Sequence, residues 1–86
     1  MNKTIHSKEY SELLKWLRAQ RKQQGLTMRE LGEKLGVIHS WVGKIEQGER
    51  RLDIIEYLRL CNALQIDPNE GLELVQQSLS VSNDLS

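Results

Sequence analysis

Apolar side chains along this chain recur at helical spacing, and a glycine or a capping residue breaks the pattern at intervals. Tyr10, Leu13, Leu14 and Leu17 form the first stripe. They predict a helix over 8–24, capped by Ser7 and closed by Gly25. Trp16 lies off that stripe and is expected to be only partly covered. Leu31 and Leu35 share one face of a second, short helix, and Val42 with Ile45 marks a third. Asp53, with Glu56 three residues on, starts a fourth helix over 54–64. Its expected buried stripe is Ile55, Leu58, Cys61 and Leu64. Asp67-Pro68 starts a fifth, since proline's missing N–H costs nothing at a first helical position. Leu72, Val75 and Leu79 follow its period, with Leu74 on the flank. Gly71 lies inside it and weakens it by roughly 1 kcal/mol relative to alanine. No run alternates apolar and polar residues over the length of a strand. The pattern therefore predicts an all-α fold of five helices in one domain over 7–80, with a flexible arm at 1–6 and a frayed tail at 81–86.

The second and third helices are the most sharply punctuated part of the chain. Thr27 and Glu30 have the spacing of a capping box, in which each side chain satisfies the other's backbone N–H. Leu26 and Leu31 are placed as a hydrophobic staple across the same helix start. Gly36 and Gly48 end the two helices, because glycine enters the left-handed conformation without steric cost. Helices of about eight residues do not persist alone in water. The rest of the chain is expected to be their scaffold.

Composition adds constraints. The 86 residues carry a formal net charge of zero, which by itself argues against a polyanionic partner. The distribution argues the other way. Residues 1–51 hold eleven Lys/Arg and six Asp/Glu, net +5, and residues 52–86 hold one Arg and six Asp/Glu, net −5. A basic half fits a local face for a polyanion. The single cysteine, Cys61, forms no internal disulfide and reads as a small buried apolar residue. No apolar run approaches the ~18–20 residues of a membrane span. The start, MNKTIHSKEY, lacks the apolar core of a signal peptide, so the cytoplasm is the expected compartment and no membrane partner is expected. His6 and His39 are far apart, and no HExxH, GxSxG or phosphate-loop pattern is present. His6, His39 and Cys61 lack the spacing of a metal site. Neither catalysis nor a metal or cofactor is expected.

Binding chemistry concentrates on the third helix. His39, Ser40, Trp41 and Lys44 lie away from Val42 and Ile45. A helix with donors at its N-terminal end can enter the major groove and meet base edges. Lysine donates to guanine O6 and N7, serine and histidine donate or accept, and an aromatic ring can touch a thymine methyl. Arg50 and Arg51 follow in a short basic connection suited to the sugar-phosphate backbone.

These residues carry a specific resemblance. The stretch Leu17-Arg18, Arg21, Gly25-Leu26-Thr27, Leu31, Leu35-Gly36-Val37, Val42, Ile45-Glu46 and Gly48 resembles the helix-turn-helix of the phage Cro/repressor-like (XRE) family, over about residues 13–66. The segment Gly48 to Asp53, GERRLD, is similar to a common subgroup of small members. The resemblance implies a five-helix phage-repressor-like domain whose helix-turn-helix is helices two and three. It implies base contacts from His39, Ser40 and Lys44, and phosphate contacts from Thr27, Gln47, Arg50 and Arg51. Trp41 and Arg29 are further candidates for base and phosphate contact. Arg21 and Glu46 fall where members pair an arginine with a glutamate. Four positions depart from the family's usual residues: Met28 for glutamine, Gly32 for alanine, Ile38 for a serine or threonine cap, and Gly43 for serine.

The expected function is that of a transcriptional regulator, a repressor, that binds double-stranded DNA sequence-specifically. A homodimer is expected because one short helix reads few bases, and Leu72, Val75 and Leu79 are its candidate interface. The rival is a protein-interaction module of the same fold, such as a toxin-neutralising antitoxin, with a protein partner in place of DNA.

Overall fold

The computed structural model describes residues 7–85 and contains five helices: α1 (Lys8–Gln23), α2 (Met28–Leu35), α3 (His39–Glu46), α4 (Ile54–Leu64) and α5 (Pro68–Leu85). The predicted arm at 1–6 lies outside the described residues. The described residues contain no strand, in line with the all-α expectation. Among the described residues no helix is long and apolar enough to cross a membrane.

The caps fall where the sequence places them. Ser7 Oγ accepts from the N–H of Tyr10 at 3.3 Å. The Thr27 hydroxyl accepts from the Glu30 N–H at 3.0 Å, and Glu30 accepts from the Thr27 N–H at 2.8 Å. Asp53 and Glu56 make the same reciprocal pair at 2.7 and 3.0 Å. Gly36, at φ 74°, ends α2 in the left-handed region. The Asp67 carboxylate accepts from the Asn69 N–H at the start of α5. That helix runs to Leu85 and so includes most of the predicted tail at 81–86, whose last residue lies outside the described residues. The segment Val81 to Leu85 contains neither glycine nor proline to stop it.

One core unites the helices. Leu13, Leu14 and Leu17 of α1 meet Leu31 of α2, Val42 and Ile45 of α3, and Tyr57, Leu60, Cys61 and Leu64 of α4. The α4 stripe differs from the predicted one. Ile55 and Leu58 are 56% and 44% exposed, while Tyr57 and Leu60 are buried. Two helical stripes share Cys61 and Leu64, and sequence spacing alone does not separate them. The buried one is selected by Tyr57, whose hydroxyl donates to the Pro68 carbonyl across the α4–α5 turn. Burial pushes the Cys61 thiol up from its ordinary value, so it stays neutral and unreactive near neutral pH.

Gly71 has a role that helix propensity does not reveal. It is buried where α5 crosses α1 and α4. A β-carbon there would lie 2.7 Å from Trp16 Cζ3 and 3.0 Å from Leu13 Cδ1, and would also meet the Tyr57 hydroxyl. The glycine weakens α5 locally but permits this close crossing.

Ile38 marks the opposite situation. It stands at the N-cap of α3 and makes no side-chain cap hydrogen bond. Two substitutions should therefore shift stability in opposite directions in urea unfolding. Gly71→Ala is expected to cost about 1–3 kcal/mol by overpacking. Ile38→Ser is expected to add about 0.5–1 kcal/mol by supplying the missing cap.

Candidate nucleic-acid interface

The recognition-type helix α3 is held by its own buried stripe. Val42 and Ile45 are 1% and 2% exposed. That leaves His39, Ser40 and Lys44 exposed on the outer side, as expected. The α2–α3 joint is tight. A β-carbon at Gly32 would lie 2.9 Å from the Val37 carbonyl oxygen and 3.3 Å from His39 Cα. The Val37 N–H also donates to the Gly32 carbonyl at 2.9 Å. The turn and the first residue of α3 thus rest directly on the backbone of α2.

At the far end of α3, a fork of hydrogen bonds fixes the helix to α1. Arg21 Nε donates to Glu46 Oε2 at 2.7 Å, and Arg21 Nη2 donates to Glu46 Oε1 at 3.0 Å. Arg21 Nη1 donates to the Leu26 carbonyl at 2.8 Å. Both charged side chains are 7% exposed. The predicted Arg21–Glu46 pair is therefore present, bidentate and enclosed, and it also pins the α1–α2 turn. Arg18 Nε approaches the same carboxylate at 4.0 Å from an exposed position.

Two expected DNA contacts have other partners. Arg50 Nη2 pairs with Glu56 Oε2 at 2.6 Å. Its guanidinium also lies over the Trp41 ring, 5.6 Å from the centroid. Glu56 Oε1 meanwhile accepts from the Asp53 N–H, so one carboxylate closes the α4 cap and holds Arg50. Trp41 is half-buried and packs against the core. A large ring on a short helix covers more apolar area inward than outward, which explains this placement.

The remaining candidates are exposed. Thr27 spends its oxygen lone pair on the capping box, and its hydroxyl hydrogen remains available to a phosphate. Arg29 lines a recess of about 400 Å³ with Glu33, Val37, Ile38, His39 and Ser40. Gln47 borders a second recess, about 260 Å³, with Ser11, Lys15 and Arg18 of α1. Arg51 is exposed and has no ion-pair partner among the described residues. It borders a groove of about 420 Å³ whose walls include Tyr10, Ile54, Tyr57, Leu72 and Val75. Leu72 and Leu79 are 44% and 38% exposed, and Val75 is half-buried.

Lys15 and Arg18 are not among the contact residues expected from sequence, although Ser11, Lys15 and Arg18 share one helical face. The contact between Met28 and Gly43 was also not foreseen. A β-carbon at Gly43 would lie 3.5 Å from the Met28 sulfur, an ordinary van der Waals distance. Two departures from the family pattern are thus neighbours, and a thioether covers the joint between α2 and α3. Among the described residues no cluster of His, Cys, Asp and Glu could hold a metal. The void at the centre of the core is about 10 Å³, room for about one water at most.

Comparison with known proteins places this geometry. A family model described as a helix-turn-helix domain matches residues 9–74. An XRE-family-like protein from Pseudomonas syringae pv. tomato is 39% identical, with a TM-score of 0.79 over 88% of this chain and 93% of that one. The restriction-modification controller protein C.AhdI from Aeromonas hydrophila is 31% identical, with a TM-score of 0.69 over 76% of this chain and 98% of that one. The clp gene regulator ClgR from C. glutamicum is 25% identical, with a TM-score of 0.72 over 84% of this chain and 94% of that one. No curated protein matches the chain.

The two arginine pairs should respond differently to truncation. Arg21→Ala leaves an enclosed carboxylate without its partner and is expected to cost about 3–5 kcal/mol. Arg50→Ala breaks a pair that is open to solvent on one side and is expected to cost about 1 kcal/mol or less. Denaturant midpoints of the two variants against the parent check this.

Proposed function

The chain belongs to the XRE-like helix-turn-helix family of DNA-binding transcription regulators, and we propose that it binds operator DNA sequence-specifically as a cytoplasmic, homodimeric repressor. The observation that carries this reading is the outward face of α3. Its polar side chains are free because Val42, Ile45 and the Arg21–Glu46 fork hold the helix from behind. His39, Ser40 and Lys44 read base edges in the major groove. Thr27, Arg29, Gln47 and Arg51 hold the phosphates on either side. The capping box satisfies the N–H groups of Thr27 and Glu30, leaving those of Met28 and Arg29 at the start of α2 for a phosphate oxygen. Arg50 and Trp41 serve this face from behind, as its support. Two similar proteins are named as a gene regulator and a restriction-modification controller, roles of the kind proposed here.

The dimer follows from reach. An α3 of eight residues is about 12 Å long and meets only a few base pairs. Two copies on a two-fold related site multiply the discrimination. The groove between α1, α4 and α5 is the surface for it, with Leu72 and Val75 on its wall and Leu79 further along α5. Exposed Ile54, Ile55 and Leu58 on α4 support a second reading, in which this side docks a different protein, as a toxin-neutralising antitoxin would.

Fluorescence anisotropy against a duplex selected from a random pool tests the reading. Lys44→Ala and Ser40→Ala are each expected to lower the preference for the selected site by about 1–3 kcal/mol per lost base contact. Arg29→Ala should weaken binding to all sequences about equally and lower the salt slope by about 1. No sequence preference at low salt, or full preference in the Lys44→Ala/Ser40→Ala double variant, would refute base reading by α3.

Leu72→Glu tests the assembly. Sedimentation should show a dimer for the parent and a monomer for this variant. A parent that stays monomeric at tens of micromolar while retaining a specific protein through the same face would favour the second reading.

A further inference from the structure

The turn before α3 presents an isoleucine to solvent at the end of the helix that faces DNA. Ile38 is 72% exposed, and Val37 beside it is 36% exposed. A single exposed apolar residue is ordinary on a protein surface. This one differs in three respects. It occupies the N-cap of α3, where a serine, threonine or aspartate would stabilise the helix, and it makes no cap bond. It also contributes little to the core, since most of its side chain is in water. It therefore contributes neither of the two things a residue at this position ordinarily contributes to folding.

The third respect is rigidity. The turn is held on α2 by the Val37 N–H to the Gly32 carbonyl, 2.9 Å. Gly32 lets the Val37 carbonyl and His39 Cα approach so closely that a β-carbon would meet them at 2.9 and 3.3 Å. Isoleucine is itself stiff about its first side-chain bond. The apolar surface is therefore presented in one place, with little conformational freedom left to lose on contact. Around it, the recess contains Arg29, Glu33, His39 and Ser40. A cation and two hydrogen-bonding side chains thus flank the apolar tip, with one carboxylate further back on α2.

We infer that Ile38, seconded by Val37, is a specificity-determining contact for the 5-methyl group of a thymine. The inference rests on the reading of α3 as a major-groove helix and adds an apolar contact to its polar ones. Helices docked in this way bring their N-terminal residues to the base edges. In the major groove the one apolar feature that a base pair displays is the thymine methyl. A branched aliphatic side chain gains by covering that methyl, and a serine in its place would not. The missing cap then has a functional account: a polar cap is exchanged for an apolar reader.

The experiment changes one methyl group at a time. In a duplex selected by the protein, each thymine is replaced singly by deoxyuridine, which keeps every hydrogen-bonding group and removes only the methyl. The parent is expected to lose about three- to ten-fold in affinity at one thymine per half-site. Ile38→Ser is expected to bind the thymine duplex about as weakly as the parent binds the deoxyuridine duplex, and to distinguish the two less than about two-fold. Thermal unfolding of Ile38→Ser at or above the parent's midpoint separates lost contact from lost fold. A selected site with no deoxyuridine-sensitive thymine overturns the inference and leaves the major-groove reading intact. So does an Ile38→Ser variant as sensitive as the parent. Failure to select any duplex overturns both.

Discussion

A guanidinium and a carboxylate, both nearly out of water, join the last turn of α1 to the end of α3. The placement of α3 depends on this fork. An eight-residue helix has too few internal hydrogen bonds to persist alone. Val42 and Ile45 bury its inner stripe and resist its lifting away, but two apolar contacts leave rotation about the helix axis poorly fixed. The bidentate geometry of Arg21 on Glu46 supplies that constraint, because two parallel hydrogen bonds define a plane as well as a distance. The third donor of the same guanidinium reaches Leu26, the residue before the α2 cap. One side chain therefore positions both helices of the motif. The net contribution of such an enclosed pair to stability is small beside the cost of breaking it. Its value here is orientation.

The rest of the support combines close backbone packing with one outer ion pair. Gly32 brings the turn against α2, and the Met28 sulfur covers Gly43. Arg50 holds the Trp41 ring from the α4 side and is itself held by a carboxylate that caps α4. Arg50 and Trp41, both suited to DNA contact by type, thus also have partners within the fold. Arginine and tryptophan carry both capacities, and the local partners decide. Glu56 lies six residues beyond Arg50, across a connection with no regular period. No spacing rule in the sequence anticipates that pair.

Much of the architecture was legible from the residues. Four of the five helix starts were, because each is marked by a local capping residue: Ser7 with Tyr10, Thr27 with Glu30, Asp53 with Glu56, Asp67 before Pro68; α3, which starts after Ile38, has no such cap. The fourth helix was misjudged in its facing, since Ile55 and Leu58 are as apolar as Tyr57 and Leu60 and differ only in tertiary partner. The importance of Gly71 was equally hidden, because the crossing with Trp16 and Tyr57 joins residues distant in sequence. On the candidate site, the exposure of His39, Ser40 and Lys44 followed from the inner stripe of α3. The occupation of Arg50 and Trp41 did not, being set by neighbours that only the folded chain brings together.

The folded chain thus has a polar face around α3, the proposed DNA-binding face, and an apolar groove beside α5. Amide chemical-shift mapping by NMR, during titration with a selected duplex at moderate salt, compares the two faces in one measurement. DNA binding through α3 requires the largest shifts at Thr27 to Arg29 and at Ile38 to Lys44, with Ile55, Leu58 and Leu72 little changed. Shifts centred on the α4–α5 side with a quiet α3, or no shifts at all, would contradict it.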